Sequence, residues 1–228
     1  MSGEVMLIGD PAVRAVPVVD NGEALVDVAS VPELSVDHRL ADPQGMYRML
    51  RSGVVDRLGR AAALLPGDVR ICVVEGYRPY ELQKRYFEQC CSELLSARPD
   101  LGGAELEALA SRVVAPPEDN SPHATGGAVD LTLCDGAGRP LDMGTDVNQS
   151  PEQSGGRCYT AAAELPPAAI ANRRLLVRVL EAVGMVNYPT EWWHWSYGDR
   201  YWAVRSGEAA ACYGPAAASR TGRVGHPA

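Results

Sequence analysis

All four tryptophans of this chain, Trp192, Trp193, Trp195 and Trp202, fall inside one short stretch, although aromatic residues make up only 6% of the sequence. Large rings count for most when buried, so the fold has to close around this stretch. Met185–Tyr188 and Trp193–Ser196 read as two strands flanking Pro189-Thr190, and a last strand is expected near Tyr201–Val204. Two further runs carry strand patterns. Val69–Glu75 (VRICVVE) is β-branched and bounded by turn residues, and Ala128–Leu133 (AVDLTL) alternates.

Helical spacing of apolar residues recurs over about 44–65, Tyr80–Ala97, about Ala104–Val113 and Ala168–Val183. Pro66-Gly67 and Gly184 stop the first and last of these. Residues 1–42, with a short strand at Ala24–Val28, form an arm wrapped on the core. Cys134 to Ala163 is a long excursion rich in Gly, Asp, Ser and Gln, of the kind that is often functional. One domain over residues 1–206 is expected, with 207–228 a flexible C-terminal tail.

Composition removes several function classes. With 228 residues, 46% of them hydrophobic and 22% charged, the chain can bury roughly 70% of its unfolded surface, so it is not disordered as a whole. No stretch approaches the roughly 18 apolar residues of a membrane span, and the first residues lack the pattern of an export signal. A cytoplasmic protein is expected. A net charge of −8 opposes attraction to nucleic acid or anionic lipid. Six cysteines at 72, 90, 91, 134, 158 and 212 show no C-x-x-C spacing and read as reduced thiols.

Three constellations could carry chemistry. In Ser121-Pro122-His123 to Asp130, the glycines Gly126 and Gly127 allow a sharp turn. A loop imidazole and a strand carboxylate can thus converge, either as a structural hydrogen-bonded pair or as ligands for a zinc-type ion. In Glu191-Trp192-Trp193-His194, positions three apart share a face only in a helical turn, and in a strand they point oppositely. Glu191 is therefore expected in the turn and His194 at the start of the strand, the alternative being a core strand with an ion pair. Taken together, His123, Asp130 and His194 make a three-ligand set with an open fourth position, and Glu191 is an acid beside it. In Glu75-Gly76-Tyr77-Arg78-Pro79, an arginine at a strand end could meet a developing oxyanion, or form a salt bridge with Glu75 or Asp130.

The segments EGYRPY, SPHATGGAVDLTL and EWWHWSYG, in this order between about Val69 and Trp202, resemble the zinc-dependent D-alanyl-D-alanine dipeptidases of the vancomycin-resistance type. Met143-Gly144 and Asn172-Arg173-Arg174 are similar to that family as well. The resemblance implies an α+β fold of the Hedgehog and D,D-peptidase kind, a small, mostly antiparallel sheet with helices on one side. It implies one zinc ion per chain on His123, Asp130 and His194, with Glu191 as catalytic base and acid and Arg78 stabilising the transition state. Ser121 matches the serine before the first ligand, where it supports substrate or site geometry.

Two departures bear on substrate. The acidic residue expected shortly after Met143-Gly144, which would hold a substrate ammonium, has Asn148 near its place and Asp146 two residues earlier. SVDHRLADPQG replaces the family's Tyr- and Asn-Phe-containing segment. The implied function is hydrolysis of D-Ala-D-Ala or a related dipeptide. The alternatives are a peptidase or amidase of the same mechanism acting on another small peptide in antibiotic or cell-wall metabolism, and a zinc-binding module without activity. The expected partner is a small dipeptide, with no nucleic acid and no membrane.

Overall fold

The computed structural model describes residues 5–111, 114, 116 and 121–216. A short helix α1 (Pro11–Arg14) precedes β1 (Leu25–Asp27), β2 (Leu34–Val36), β3 (Met49–Arg51) and α2 (Ser52–Ala62). Then come β4 (Arg70–Glu75), α3 (Tyr80–Ala97), α4 (Gly103–Ala110), β5 (Ala128–Cys134), α5 (Pro151–Ser154) and α6 (Pro167–Glu181). The hairpin of β6 (Val186–Tyr188) and β7 (Glu191–Ser196) and the helix α7 (Arg200–Ser206) complete it. Five strands form the main sheet in the order β2-β4-β5-β7-β6, antiparallel except for β2 against β4. The expected α+β class and the mostly antiparallel sheet are what the chain adopts.

Strand alternation gives this sheet two unlike faces. Ile71 and Val73 of β4, Val129, Leu131 and Leu133 of β5, and Trp195 of β7 are buried in the apolar core. There they meet Val54, Leu58 and Ala61 of α2 and Leu176, Val179 and Leu180 of α6. Each valine, leucine or isoleucine among them contributes about 1.5–3 kcal/mol by leaving water. The intervening positions turn the other way. Cys72 lies opposite Thr132, and Asp130 opposite His194, so the second face is polar. A bulge in β4 adds to it. Val73 pairs with Leu131 and Glu75 with Asp130, which leaves Val74 as the extra residue. Glu75 thereby faces Asp130 instead of the core.

Four local readings are corrected. The periodic stretch from 44 makes a 3-10 turn at Met46–Arg48 and becomes α-helix only at Ser52, because Met49–Arg51 pairs with β1. Tyr201–Val204 is helical within α7: the Asp199 carboxylate accepts from the Trp202 amide and Gly207 closes the last turn in a left-handed conformation, and this capping overrides the strand preference of the aromatic residues. The strand expected at Ala24–Val28 is present as β1, but the arm also supplies β2, the edge strand of the main sheet, so it is not merely packed on the core. Residues read as tail also return to the body. The Ala211 amide donates to Pro17, Tyr213 donates to Gly198 and Ala216 donates to Ala124, and Tyr213 is buried. Of the stretch 104–113, positions 112 and 113 lie outside the described residues.

Arg51, itself buried, gathers these terminal segments. Its guanidinium donates to the carbonyls of Thr125 (2.8 Å) and Gly214 (3.0 Å) and to the Asp20 carboxylate (2.8 Å). The turn that leads into β5 is thus clamped from both chain ends.

Candidate metal centre and active site

Pro122–Thr125 forms a single 3-10 turn ahead of β5. Gly126 closes it at φ +70°, a backbone conformation that favours glycine, and a Cβ there would meet Leu25 Cδ2 at 2.5 Å. The turn carries His123 above the polar face of the sheet. The Arg78 amide donates to the His123 carbonyl (3.1 Å), and His123 Nδ1 lies 2.8 Å from the Gly76 carbonyl. A carbonyl only accepts, so Nδ1 carries the proton and Nε2 presents its lone pair.

His123 Nε2 lies 3.2 Å from His194 Nδ1 and 3.4 Å from Asp130 Oδ1, and the third side of this triangle is 3.0 Å. All three residues are buried. Three lone-pair atoms so close, away from water, need a proton or a cation between them. A tetrahedral site with bonds of about 2.0–2.2 Å has edges of about 3.3–3.6 Å. The triangle is close to that size, so the residues fit a zinc-type ion. Burial works to raise the pKa of the Asp130 carboxyl, but the two imidazoles overcome this and hold it far below the usual carboxylate range. Burial also disfavours charge on His194, yet Asp130 raises its pKa above the ordinary histidine value.

Glu191 sits at the rim. Its side chain is 37% exposed and its Oε2 lies 4.0 Å from His194 Nδ1. Desolvation lifts its carboxyl pKa, aided by the charge of Asp130 and opposed by His194, His123 and Arg78. Regular strand geometry would send Glu191 and His194 to opposite faces, and Glu191 was expected in the turn. Instead it opens β7, and a bulge does the work. Asn187 pairs with Trp195 but Tyr188 pairs with Glu191, so residues 192–194 have no partner on β6.

Arg78 is held by Glu75 through Nε (2.8 Å) and Nη2, and by Gln83 through Nη1 (2.7 Å). Three of its five N–H groups are engaged. The salt bridge with Glu75 exists, and it leaves two donors for another acceptor. Gln83, the buried residue of α3, escaped the sequence reading; a polar residue one turn into a helix after Arg78 was its signal.

Ser121 is buried at the start of the turn and its carbonyl accepts from Ala124. Asp146 and Asn148 lie exposed on the excursion between β5 and α6, and neither side chain is hydrogen-bonded to the triangle. The charge of Asp146 acts on Arg39, and Asn148 adopts a left-handed backbone at φ 65°, which asparagine tolerates. The excursion itself is well tied. Arg173 donates to the carbonyls of Met143, Arg157 and Tyr159, Asn172 donates to Asp142, and Trp192 Nε1 donates to Thr145 Oγ1. Gly144 sits at φ +83°, which favours glycine, and a Cβ there would meet Leu165 Cδ2 at 2.7 Å.

The profile of the D-Ala-D-Ala dipeptidase family, peptidase family M15, matches residues 38–210. The chain belongs to this family. A D-alanyl-D-alanine dipeptidase from Synechocystis sp. is 31% identical over 83% of this chain and 87% of its own length. The Escherichia coli D-alanyl-D-alanine dipeptidase is 26% identical over 75% of this chain and 82% of its own. The solved LD-carboxypeptidase LdcB aligns over 85% of this chain and 77% of that one, at 19% identity and a TM-score of 0.47. As an M15 member the chain is a metallopeptidase. Among the described residues, His123, Asp130 and His194 are the group that could hold its metal, and no helix is long and apolar enough to cross a membrane.

Proposed function

We propose that this M15 metallopeptidase hydrolyses D-Ala-D-Ala, using one zinc ion per chain held by His123, Asp130 and His194. The observation that carries the reading is the buried triangle of lone-pair atoms with the Glu191 carboxylate 4.0 Å from one corner. Zinc bound there supplies a positive centre that polarises the scissile carbonyl and acidifies water. Glu191, at the solvent rim, takes the proton of the attacking water and returns it to the leaving amine. Arg78 offers its two remaining N–H groups to the charge that develops on the carbonyl oxygen. Ser121 supports the substrate beside His123, while Asp146 and Asn148 face its ammonium end. All six cysteines are unpaired, which suits a reducing compartment and supports a cytoplasmic setting in cell-wall dipeptide metabolism.

A second reading keeps the mechanism and changes the dipeptide. Asp146 and Asn148 are exposed and neither is hydrogen-bonded to the triangle, which weakens that position as an ammonium anchor. Release of free amine from D-Ala-D-Ala, D-Ala-L-Ala, L-Ala-D-Ala and L-Ala-L-Ala by the zinc-loaded chain, beside Glu191→Ala, separates the two. Selective cleavage of D-Ala-D-Ala, absent in the variant, is expected. Cleavage of another dipeptide alone selects the second reading, and silence on all four with zinc bound overturns the first and leaves a different amide as the substrate.

A further inference from the structure

The bulge in β7 leaves a question of backbone accounting, because residues 192–194 have lost their partners on β6 and buried peptide groups need others. One side chain takes up both ends. Asn187 Nδ2 donates to the Glu191 carbonyl at 3.1 Å and to the His194 carbonyl at 3.0 Å, and its Oδ1 accepts from Thr160 Oγ1 at 2.6 Å. The amide has only one sensible orientation, since a flipped group would set its oxygen against two carbonyl oxygens. The excursion braces the same place from outside: the Trp192 amide donates to the Cys158 carbonyl and the Thr160 amide to Pro189.

We propose that Asn187, anchored by Thr160, is a positioning residue for this active site. It ties the backbone of Glu191 to that of His194 and so fixes the base relative to a metal ligand. The proposal rests on the functional reading above. It deepens that reading by naming a residue that touches neither metal nor substrate. Without the clip, nothing on β6 holds the three extra residues, and β7 is free to approach regular alternation, which carries Glu191 toward the opposite face.

The test uses the full chain with Asn187→Asp, which keeps the acceptor for Thr160 and loses both donated bonds, and Thr160→Val, which leaves the amide in place without its anchor. Zinc affinity by chelator competition, the visible spectrum of the cobalt-substituted protein, and kcat and KM on D-Ala-D-Ala are measured on variants whose far-ultraviolet circular dichroism matches wild type. Asn187→Asp is expected to weaken zinc binding by about 10–100-fold, the range for supporting residues around metal ligands. It should also lower kcat by a similar factor with KM held within about threefold, and alter the cobalt spectrum. Thr160→Val should move the same readouts in the same direction by less. A folded Asn187→Asp with wild-type zinc affinity and kcat overturns the proposal. Should that variant not fold, unchanged readouts in Thr160→Val overturn it instead. Failure of the wild-type chain to bind zinc or cleave the dipeptide is visible in the control arm and counts against the functional reading alone.

Discussion

The two faces of the five-stranded sheet are built from the same strands, yet they obey opposite rules. On one, Ile71, Val73, Leu131, Leu133 and Trp195 pack against α2 and α6 and need only fill space. On the other, Glu75, Asp130 and His194 are buried charges or titratable groups that persist because each finds a partner. The apolar face tolerates approximate shape at modest cost. The polar face depends on placement, and both of its irregularities, the β4 bulge at Val74 and the β7 bulge at 192–194, serve to bring a carboxylate to the site. Stability and chemistry are therefore separable by face.

That separation can be broken or sharpened by substitution. Glu191→Gln should produce the largest effect, a loss of up to about 10⁴-fold in kcat, with zinc content and thermal midpoint as in wild type; retained turnover in a zinc-replete variant would remove Glu191 from its role. Leu131→Ala, one residue from Asp130 but on the other face, should cost about 2–5 kcal/mol of stability while the folded fraction keeps its kcat. A strong drop in kcat at full folding would show that the faces are coupled. Arg78→Ala should lower kcat by about 10²–10³-fold with little change in KM, and a KM effect alone would make it a ground-state binder. The smallest effect is one of pH. His194 in the metal-free chain holds its proton above the ordinary histidine value of 6.5, and that proton competes with zinc for Nδ1. Zinc affinity should therefore be full well above that value and weaken as pH falls toward and through it. Chelator competition at pH 8, 7 and 6 checks this, and a flat profile argues against His194 Nδ1 as a ligand atom.

The sequence was most legible where local rules acted alone. Alternation in β5 located both Asp130 and the core residues around it, and Gly126-Gly127 announced the turn that carries His123. The pairing of Glu191 with His194 was legible as a resemblance but not as geometry. A three-residue bulge is set by register against β6 and by Asn187 and Thr160, which no spacing rule within EWWHW contains. The strand expected at Tyr201–Val204 failed for a related reason: one cap from Asp199 outweighed the aromatic pattern. The terminal segments misled because short runs such as Leu34–Val36 and Ala211–Tyr213 carry too few residues for a period; the first is placed by pairing with β4 and the second by bonds to Pro17 and Gly198.

The triangle at the site has a consequence for the order in which the chain acquires its structure. His123 reaches Gly76 across 47 positions and His194 across 71, while His194 and Asp130 are 64 apart. Contacts of such sequence separation cost chain entropy before they return anything. No early, local fragment of the polypeptide holds more than two of these three residues, since β4, β5 and β7 must already be in register for all to meet. A zinc ion bound there would therefore meet an already assembled sheet, and would tie the turn ahead of β5 and β5 itself to β7.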